Sequence, residues 1–326
     1  MDIPEGLKDS INKLLSENKS SNIIENAQII SSRYRKNDGK GKRLLTNELE
    51  AVSYATSRMP ATYAAVYSAF KQILANYNEK ITSLLDVGAG TGAGTWAVNE
   101  INNINQITCL EREKSMIDIG RKLMKDTILD NAKWKSYNIL QDEIVEKADI
   151  VLTSYMINEL PEQEREKAVL KLWQATDKLM VVIEPGTPEG FKNILNIRNL
   201  IKEQGGYIVA PCCCNGECPI KENDWCAFYA RVARSSIHRQ AKGGNLGYED
   251  EKFSYIAFSK TPVEITGERI LRHPQINSGF VKVKLCTADG IQEKTYSKKD
   301  GEIYKKTKKL DAGEKIYWEN SKIVIL

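Results

Sequence analysis

The sequence predicts an α/β protein: a parallel sheet built from βαβ units, with a helical N-terminal extension, a Cys-rich insertion and a small C-terminal β domain. Three observations predict it. Short apolar runs, ITSLLDVGAG, QITCLERE, ADIVLTSY and LMVVIEPG, recur roughly every 20 to 40 residues with helical stretches between them, which is the alternation of βαβ units. Before Ile81 the apolar side chains are spaced mostly at three and four, the period of helices. After Thr261, runs such as GFVKVKLCT and KIVIL alternate or stay apolar over strand-like lengths. The expected divisions are 1–79, 80–260 and 261–326, with the Cys-rich insertion at about 211–250.

Composition narrows the class. With 41% hydrophobic and 28% charged residues among 326, the chain can bury a core and is not of the disordered type. No apolar run reaches the length of a membrane span, so no membrane partner is expected. The start, MDIPEGLKDSINKLL, carries acidic residues and no apolar signal core, and presequences for mitochondria are Arg-rich and acid-poor. A cytoplasmic, reducing setting is therefore expected. There, clustered thiols serve metals or catalysis more often than disulfides.

The N-terminal residues read as helices: DSINKLLSENKSSNIIENAQIISSRY, a break at KNDGKGKR, then TNELEAVSYATSRMPATYAAVYSAFKQILANY. Thr46 to Glu48 suits a helix start, and Pro60 ends one helix and opens the next. The first expected strand then runs into LLDVGAGTGAGTW. Asp86 closes the strand, and Gly88, Gly90 and Gly92 let the backbone turn sharply and approach a ligand. The second strand ends in Glu111, about 20 residues on, where an acid can accept hydrogen bonds from ribose hydroxyls. Gly88, Gly90 and Ala93 satisfy the dinucleotide pattern G-x-G-x-x-G/A. Asp86 immediately before the loop makes the run Asp-x-Gly-x-Gly-x-Gly, which resembles motif I of class I S-adenosylmethionine-dependent methyltransferases. In that family the acid and glycines surround the methionine moiety and the acid ending the second strand binds the ribose.

After ADIVLTSY comes TSYMINELPEQE, where such enzymes place substrate-side groups. Ser154, Tyr155 and Asn158 are possible contacts, and Asn138 joins Ser154 in the expected cofactor set. The Asn-Pro-Pro-Tyr-like motif used on exocyclic amines and the Pro-Cys pair used on pyrimidine C5 are both missing, so no catalytic residue is assigned. NILNIRNLIKEQGG reads as a helix, and YIVAP and KFSYIAFSK read as strands.

Of the seven cysteines, Cys109 sits within an apolar strand and reads as a small buried hydrophobe. Cys212, Cys218 and Cys226 form C-x5-C-x7-C, and Cys286 lies in the β tail. Four thiolates suit tetrahedral zinc or an iron–sulfur cluster, and the spacing favours neither. Cys213 or Cys214 could each replace Cys212.

RMPATYAAVYSAF, LLDVGAGTGAGTWA, YMINELP, EPGTPEGF, APC…CP…DWCAF, YEDEKFSYIA and GFVKVKLCTADG occur in this order. Together they resemble the Rsm-type methyltransferase-like family, over nearly all the chain beyond about residue 45. Its mitochondrial members associate with the small ribosomal subunit, and it has bacterial relatives. The resemblance implies a class I methyltransferase (Rossmann-like) fold. It also implies a four-iron, four-sulfur (4Fe-4S) cluster on the cysteine following Ala-Pro, that preceding Pro, that in Asp-Trp-Cys and that in the C-terminal strand: Cys212, Cys218, Cys226 and Cys286. Zinc is the alternative. The triplet Cys212–Cys214 departs from the family pattern.

Two basic features point toward nucleic acid. DWCAFYARVARSSIHRQAKGG reads as a helix bearing Arg231, Arg234, His238 and Lys242 along one side, and RYRKNDGKGKR is a basic loop. From Lys260 onward 14 Lys and Arg stand against 9 Asp and Glu, densest in KKDGEIYKKTKKLDAGEK, a composition suited to phosphate contact. The resemblance implies a protein, expected to be monomeric, that binds S-adenosylmethionine and acts on the small ribosomal subunit or its 16S-type rRNA in assembly or translation. It leaves open whether methyl transfer occurs. The missing amine motif favours a binding role, while the intact glycine loop and Glu111 favour cofactor use.

Overall fold

The computed structural model describes residues 1–36, 47–221, 223–234, 239–240, 246–319 and 322–325. Thr46, the basic stretch 37–43, His238 and Lys242 lie outside the described residues.

Four helices open the chain: α1 (Glu5–Ser16), α2 (Ser20–Lys36), α3 (Glu48–Ser57) and α4 (Met59–Leu74). Asn47 caps α3, its side chain accepting the Glu50 N–H at 2.8 Å, which satisfies one of the orphan donors of a helix start. Pro60 sits in the first turn of α4, where its missing N–H costs nothing. Met59, Phe70 and Ile73 of α4 are fully buried, and they share one core with Leu84, Ile150, Val181 and Phe253 of the sheet behind them. The N-terminal helices are thus one wall of the sheet's own core rather than an appendage.

The sheet contains β1 (Ser83–Val87), β2 (Gln106–Glu111), β3 (Lys133–Ser136), β4 (Ala148–Ser154), β5 (Thr176–Pro185), β6 (Tyr207–Ala210), β7 (Phe228–Ala233) and β8 (Tyr248–Ser259). Their order is β3-β2-β1-β4-β5-β8-β6, with β7 also on β8. The first five strands are parallel, and β8 runs antiparallel to β5, β6 and β7. A parallel sheet that reverses order between β1 and β4 and carries one antiparallel strand, β8, between β5 and β6 is the class I methyltransferase arrangement, as the sequence implied. Helices α5 (Ala93–Asn102), α6 (Lys114–Met124), α7 (Glu162–Ala175) and α8 (Pro188–Glu203) connect the parallel strands and cover both faces.

Two readings need correction. Strand β3 was not foreseen: its residues KWKS offer a single buried side chain, Trp134, because the strand lies at the sheet edge. The segment expected as a basic helix begins as strand β7 instead. Phe228, Ala230 and Val232 are buried while Tyr229, Arg231 and Ala233 are exposed, the period-two pattern of a half-buried strand. The Arg231 and Arg234 spacing, compatible with a helix face, is overruled where Phe228–Ala233 pairs with β8.

Beyond β8 a second, antiparallel sheet forms from β9 (Glu268–Ile270), β10 (Gln275–Asn277), β11 (Phe280–Thr287), β12 (Gly290–Ser297), β13 (Lys315–Glu319) and β14 (Lys322–Ile325), with the short helix α9 (Glu302–Thr307) against it. It has its own small core of Ile270, Val281, Val283, Leu285, Leu310 and Ile316. Arg269 stitches it to the larger sheet. The guanidinium is 1% exposed and donates to the carbonyls of Pro211 at 3.1 Å and Gly313 at 2.9 Å, and to the Gln72 side chain. Among the described residues no helix is long and apolar enough to cross a membrane.

Candidate functional site

The site begins where β1 ends. Strand β1 delivers the chain into Gly88 and Gly90 with φ of 73° and 59°, values that side-chain-bearing residues rarely adopt. At Gly90 the turn is held from the next strand. The Glu111 carboxylate accepts the Gly90 N–H through Oε2 and the Glu113 N–H through Oε1, both at 2.8 Å. Burial pushes the Glu111 carboxyl above the usual range, and these backbone donors pull it back toward the ionised form.

Above this turn lies a cavity of about 780 Å³ at the carboxyl ends of β1, β4 and β5, the position where open α/β sheets bind ligands. Gly88, Gly90, Glu111, Asn138 and Ser154 line it. Asp86 and Gly92, expected with them, are not among the lining residues. Asp86 is fully buried behind the loop, where its Oδ2 accepts the Thr95 hydroxyl at 2.8 Å, and burial pushes its pKa up to about 7. It therefore supports the start of α5 from below. Gly92 supplies the left-handed residue capping α5. The Thr95 hydroxyl also lies 3.3 Å from the Cys109 sulfur, which is fully buried within the sheet.

Of the far wall only Tyr155 was expected, as a possible contact. Arg58, at the α3–α4 junction, forms a two-pronged ion pair with Glu251 of β8, both contacts at 3.2 Å. The Tyr155 hydroxyl donates to the same Glu251 Oε1 at 2.9 Å. Tyr155 stands at φ 59°, strained backbone for an aromatic residue, directly after β4. Tyr54 and Thr62 complete this wall. On the floor, Asn158 and Glu159 follow from the β4 turn, and burial with the nearby Glu111 charge pushes the Glu159 carboxyl up to about 8. Apart from the place of Tyr155 after the fourth strand, the signal of this wall in the sequence was the presence of RMPATYAAVYSAF, YMINELP and YEDEKFSYIA among the ordered motifs. Nothing in them says that their polar residues meet.

A second, smaller cavity lies under the other end of the insertion. Cys212, Cys213, Cys214, Cys218, Cys226 and Cys286 all line it. Burial raises the thiols of Cys212 and Cys226 and the neighbouring Cys218 adds to both, while the charge and a hydrogen bond of Arg198 pull Cys212 back down. Cys213 donates to the Cys286 carbonyl at 3.1 Å. A separate bond between the two thiol side chains, with Cys286 donating, pulls the Cys213 thiol down to about 7 and pushes that of Cys286 up. Two buried arginines face the same cavity, Arg198 at 3% and Arg269 at 1% exposure. Each leaves one nitrogen, Nε of Arg198 and Nη2 of Arg269, without a hydrogen-bond partner among the described residues. Buried cations with spare donors demand an anion, and a metal centre held by four thiolates is anionic. The donor set therefore fits such a centre in chemistry. The thiols are not drawn together, however: among the described residues no group of three metal-ligating side chains is close enough to hold an ion.

Similar proteins were found at three levels: family, curated sequence and solved structure. A family model described as mitochondrial small ribosomal subunit Rsm22 matches residues 48–317. Human ribosome assembly protein METTL17, mitochondrial, is 26% identical over 262 residues, covering 73% of this chain and 55% of that protein. The Rsm22-cox11 tandem protein 2, mitochondrial, of Schizosaccharomyces pombe is 23% identical over 345 residues, covering 86% of this chain and 44% of that protein. The chain thus spans about half the length of the curated relatives it matches. Among solved structures, a SAM-dependent methyltransferase from Aquifex aeolicus aligns with TM-score 0.42 and 12% identity, covering 66% of this chain and 99% of that one. Magnesium protoporphyrin IX methyltransferase from Synechocystis PCC 6803, with bound SAM, aligns with TM-score 0.42 and 11% identity, covering 71% and 90%.

Proposed function

The chain belongs to the mitochondrial small ribosomal subunit Rsm22 family, and on that premise we propose that it is an S-adenosylmethionine-binding, methyltransferase-like protein that serves assembly of the small ribosomal subunit. The observation that carries the cofactor reading is the clip between the Gly90 N–H and the Glu111 carboxylate in the lining of the larger cavity. Gly88 and Gly90 would let the ligand approach the backbone, and Glu111, Asn138 and Ser154 would offer it polar groups. S-adenosylmethionine supplies an electrophilic methyl group on a sulfonium when bound. The reducing, cytoplasmic setting expected from the sequence is part of the proposal.

The cysteine cavity is proposed to hold a four-iron, four-sulfur cluster on Cys212, Cys218, Cys226 and Cys286, with zinc as the alternative. The unpaired donors of Arg198 and Arg269 support an anionic centre there. Either metal would supply a cross-link between the insertion and the second sheet.

One observation favours active transfer over a binding role. Glu159 lines the larger cavity, and burial with the nearby Glu111 charge pushes its carboxyl up to about 8, close enough to neutral pH for a group that exchanges a proton with an acceptor. Methyl transfer from radiolabelled cofactor to small-subunit RNA is the deciding experiment, with Gly90→Asp as the control. Label in RNA that Gly90→Asp abolishes supports an enzyme. Tight cofactor binding by calorimetry with no label in RNA supports an assembly factor that uses the fold for binding. Absence of cofactor binding by the wild-type chain overturns both.

A further inference from the structure

The outward face of the β7–β8 hairpin carries side chains of a kind that a solvated strand does not need. Tyr229 and Tyr248 are 43% and 37% exposed. Register pairs Tyr229 with Lys252, Arg231 with Asp250 and Ala233 with Tyr248, so these side chains share one face. Each ring carries a cation. The Arg231 guanidinium lies 4.0 Å over Tyr248, and the Lys252 ammonium lies 4.5 Å from the Trp225 ring and 5.6 Å from that of Tyr229. His273 from the second sheet closes on Tyr229 with ring centroids 5.5 Å apart.

The charges are not balanced out. Arg231 pairs with Asp250, Arg272 and Lys284 both turn to Asp224, Asp311 meets the His273 ring, and Lys252 has no carboxylate partner among the described residues, so four cations face three carboxylates. The patch therefore keeps a positive surplus beside its aromatic rings. The Trp225 indole N–H donates to the Gly186 carbonyl at 3.1 Å, and Pro185 and Thr187 on either side of Gly186 line the larger cavity. The aromatic face thus runs up to the cavity mouth.

We propose that this face docks single-stranded RNA, with unpaired bases stacking on Tyr229, Tyr248 and the Arg231 guanidinium plane while Lys252 meets phosphate. Exposed rings interleaved with cations on a strand surface are what sequence-tolerant recognition of single strands requires. A protein partner is less well matched, since the apolar contribution of the face is confined to the aromatic rings. The choice of RNA over DNA rests on the small-subunit reading above; the stacking surface itself does not.

The test is fluorescence anisotropy of the full chain with a labelled oligouridylate of about ten nucleotides, a length on the order of one such site. Tyr229→Ala and Tyr248→Ala should each weaken binding roughly 5- to 150-fold, the loss of one stacked base. Tyr229→Phe and Tyr248→Phe should bind like wild type, because the ring remains, and they guard against misfolding of the alanine variants. Lys252→Gln should flatten the log–log salt dependence by about 0.7, one single-strand phosphate contact. Wild-type affinity in both alanine variants, or no oligonucleotide binding by the wild-type chain, overturns the proposal. So does capture of a small-subunit protein, lost in the same variants, by a chain that ignores the oligonucleotide. Cofactor calorimetry on each sample keeps the two readings apart: a chain that binds S-adenosylmethionine with oligonucleotide affinity insensitive to the tyrosines refutes this surface alone.

Discussion

Gly90 and Glu111 act as a pair, and the expected effects of changing them differ. Gly90→Asp places a carboxylate on a left-handed backbone position next to the Glu111 carboxylate, so cofactor binding should vanish. Glu111→Ala should weaken cofactor binding by about 1–3 kcal/mol through lost charge-assisted hydrogen bonds. It should also lower stability, because the Gly90 and Glu113 N–H groups lose their acceptor. Glu111→Gln should restore part of both; calorimetry and urea unfolding read the two effects separately. Glu159 gives a pH signature. Its folded pKa near 8 lies above the ordinary 4.5, so the folded state holds the proton more tightly than the unfolded one. Its contribution to stability is complete below about pH 4.5 and is lost as pH rises toward 8. Glu184, pushed up to about 7 by burial, acts in the same direction. The thermal midpoint should therefore fall between about pH 5 and 8, with Glu159 contributing less than the roughly 1.4 kcal/mol per pH unit of a fully buried group because its side chain is only half-buried. Glu159→Gln should flatten the curve, and a midpoint rising over this range would contradict the assignment. Among these residues the glycines and Glu111 were legible in the sequence, because a strand, a turn and a second strand fix their relation locally. The Arg58–Glu251 pair was not, because it joins positions 193 apart.

Elements were legible where period and length agreed. Strands β1, β2, β4 and β5 are apolar runs bounded by turns, and α8 follows a helical pattern closed by Gly205 and Gly206. The β7 segment carries two periods at once. Arg231 and Arg234 fit a helix face, while Phe228, Ala230 and Val232 fit a strand. Only the presence of β8 beside it, set by chain topology, decides between them. That hairpin delivers Glu251 to Arg58, which gives a prediction at this scale. Arg58→Met leaves Glu251 largely buried without its cation and should cost on the order of 3 kcal/mol, near the low end for a buried pair because a quarter of Arg58 remains exposed. Adding Glu251→Leu should recover much of that loss. Urea unfolding of the single and double variants checks it; a double variant no better than the single would place the cost elsewhere, in the Tyr155 contact.

Across the whole molecule, the cysteine cavity sits where three parts meet: the insertion, the larger sheet and β11 of the second sheet. A shared centre there would turn binding energy into folding energy. Protein purified without oxygen should be brown, absorbing near 400 nm, in the region where thiolate-bound clusters absorb. Cys286→Ser should lose that colour and speed proteolysis around the Lys298–Lys309 stretch. Arg269 should still keep the second sheet docked through Pro211 and the Gln72 side chain. Cys109→Ser, in the sheet core, should leave the metal content unchanged. About one zinc per chain with no iron or sulfide would decide for zinc. The remaining consequence concerns how such a chain can change over generations. Strand β8 turns Glu251 toward the cavity and Asp250 and Lys252 outward. Its later residues are locked to β5 from Phe253 to Ser259. Substitutions on the outer face can accumulate without reaching Arg58. A gain or loss of one residue between Tyr248 and Phe253 cannot, because it would exchange the two faces and set a lysine or an aspartate where Glu251 now meets its arginine. Descendants of this chain can therefore drift in what they display along this strand, but length changes must fall outside it.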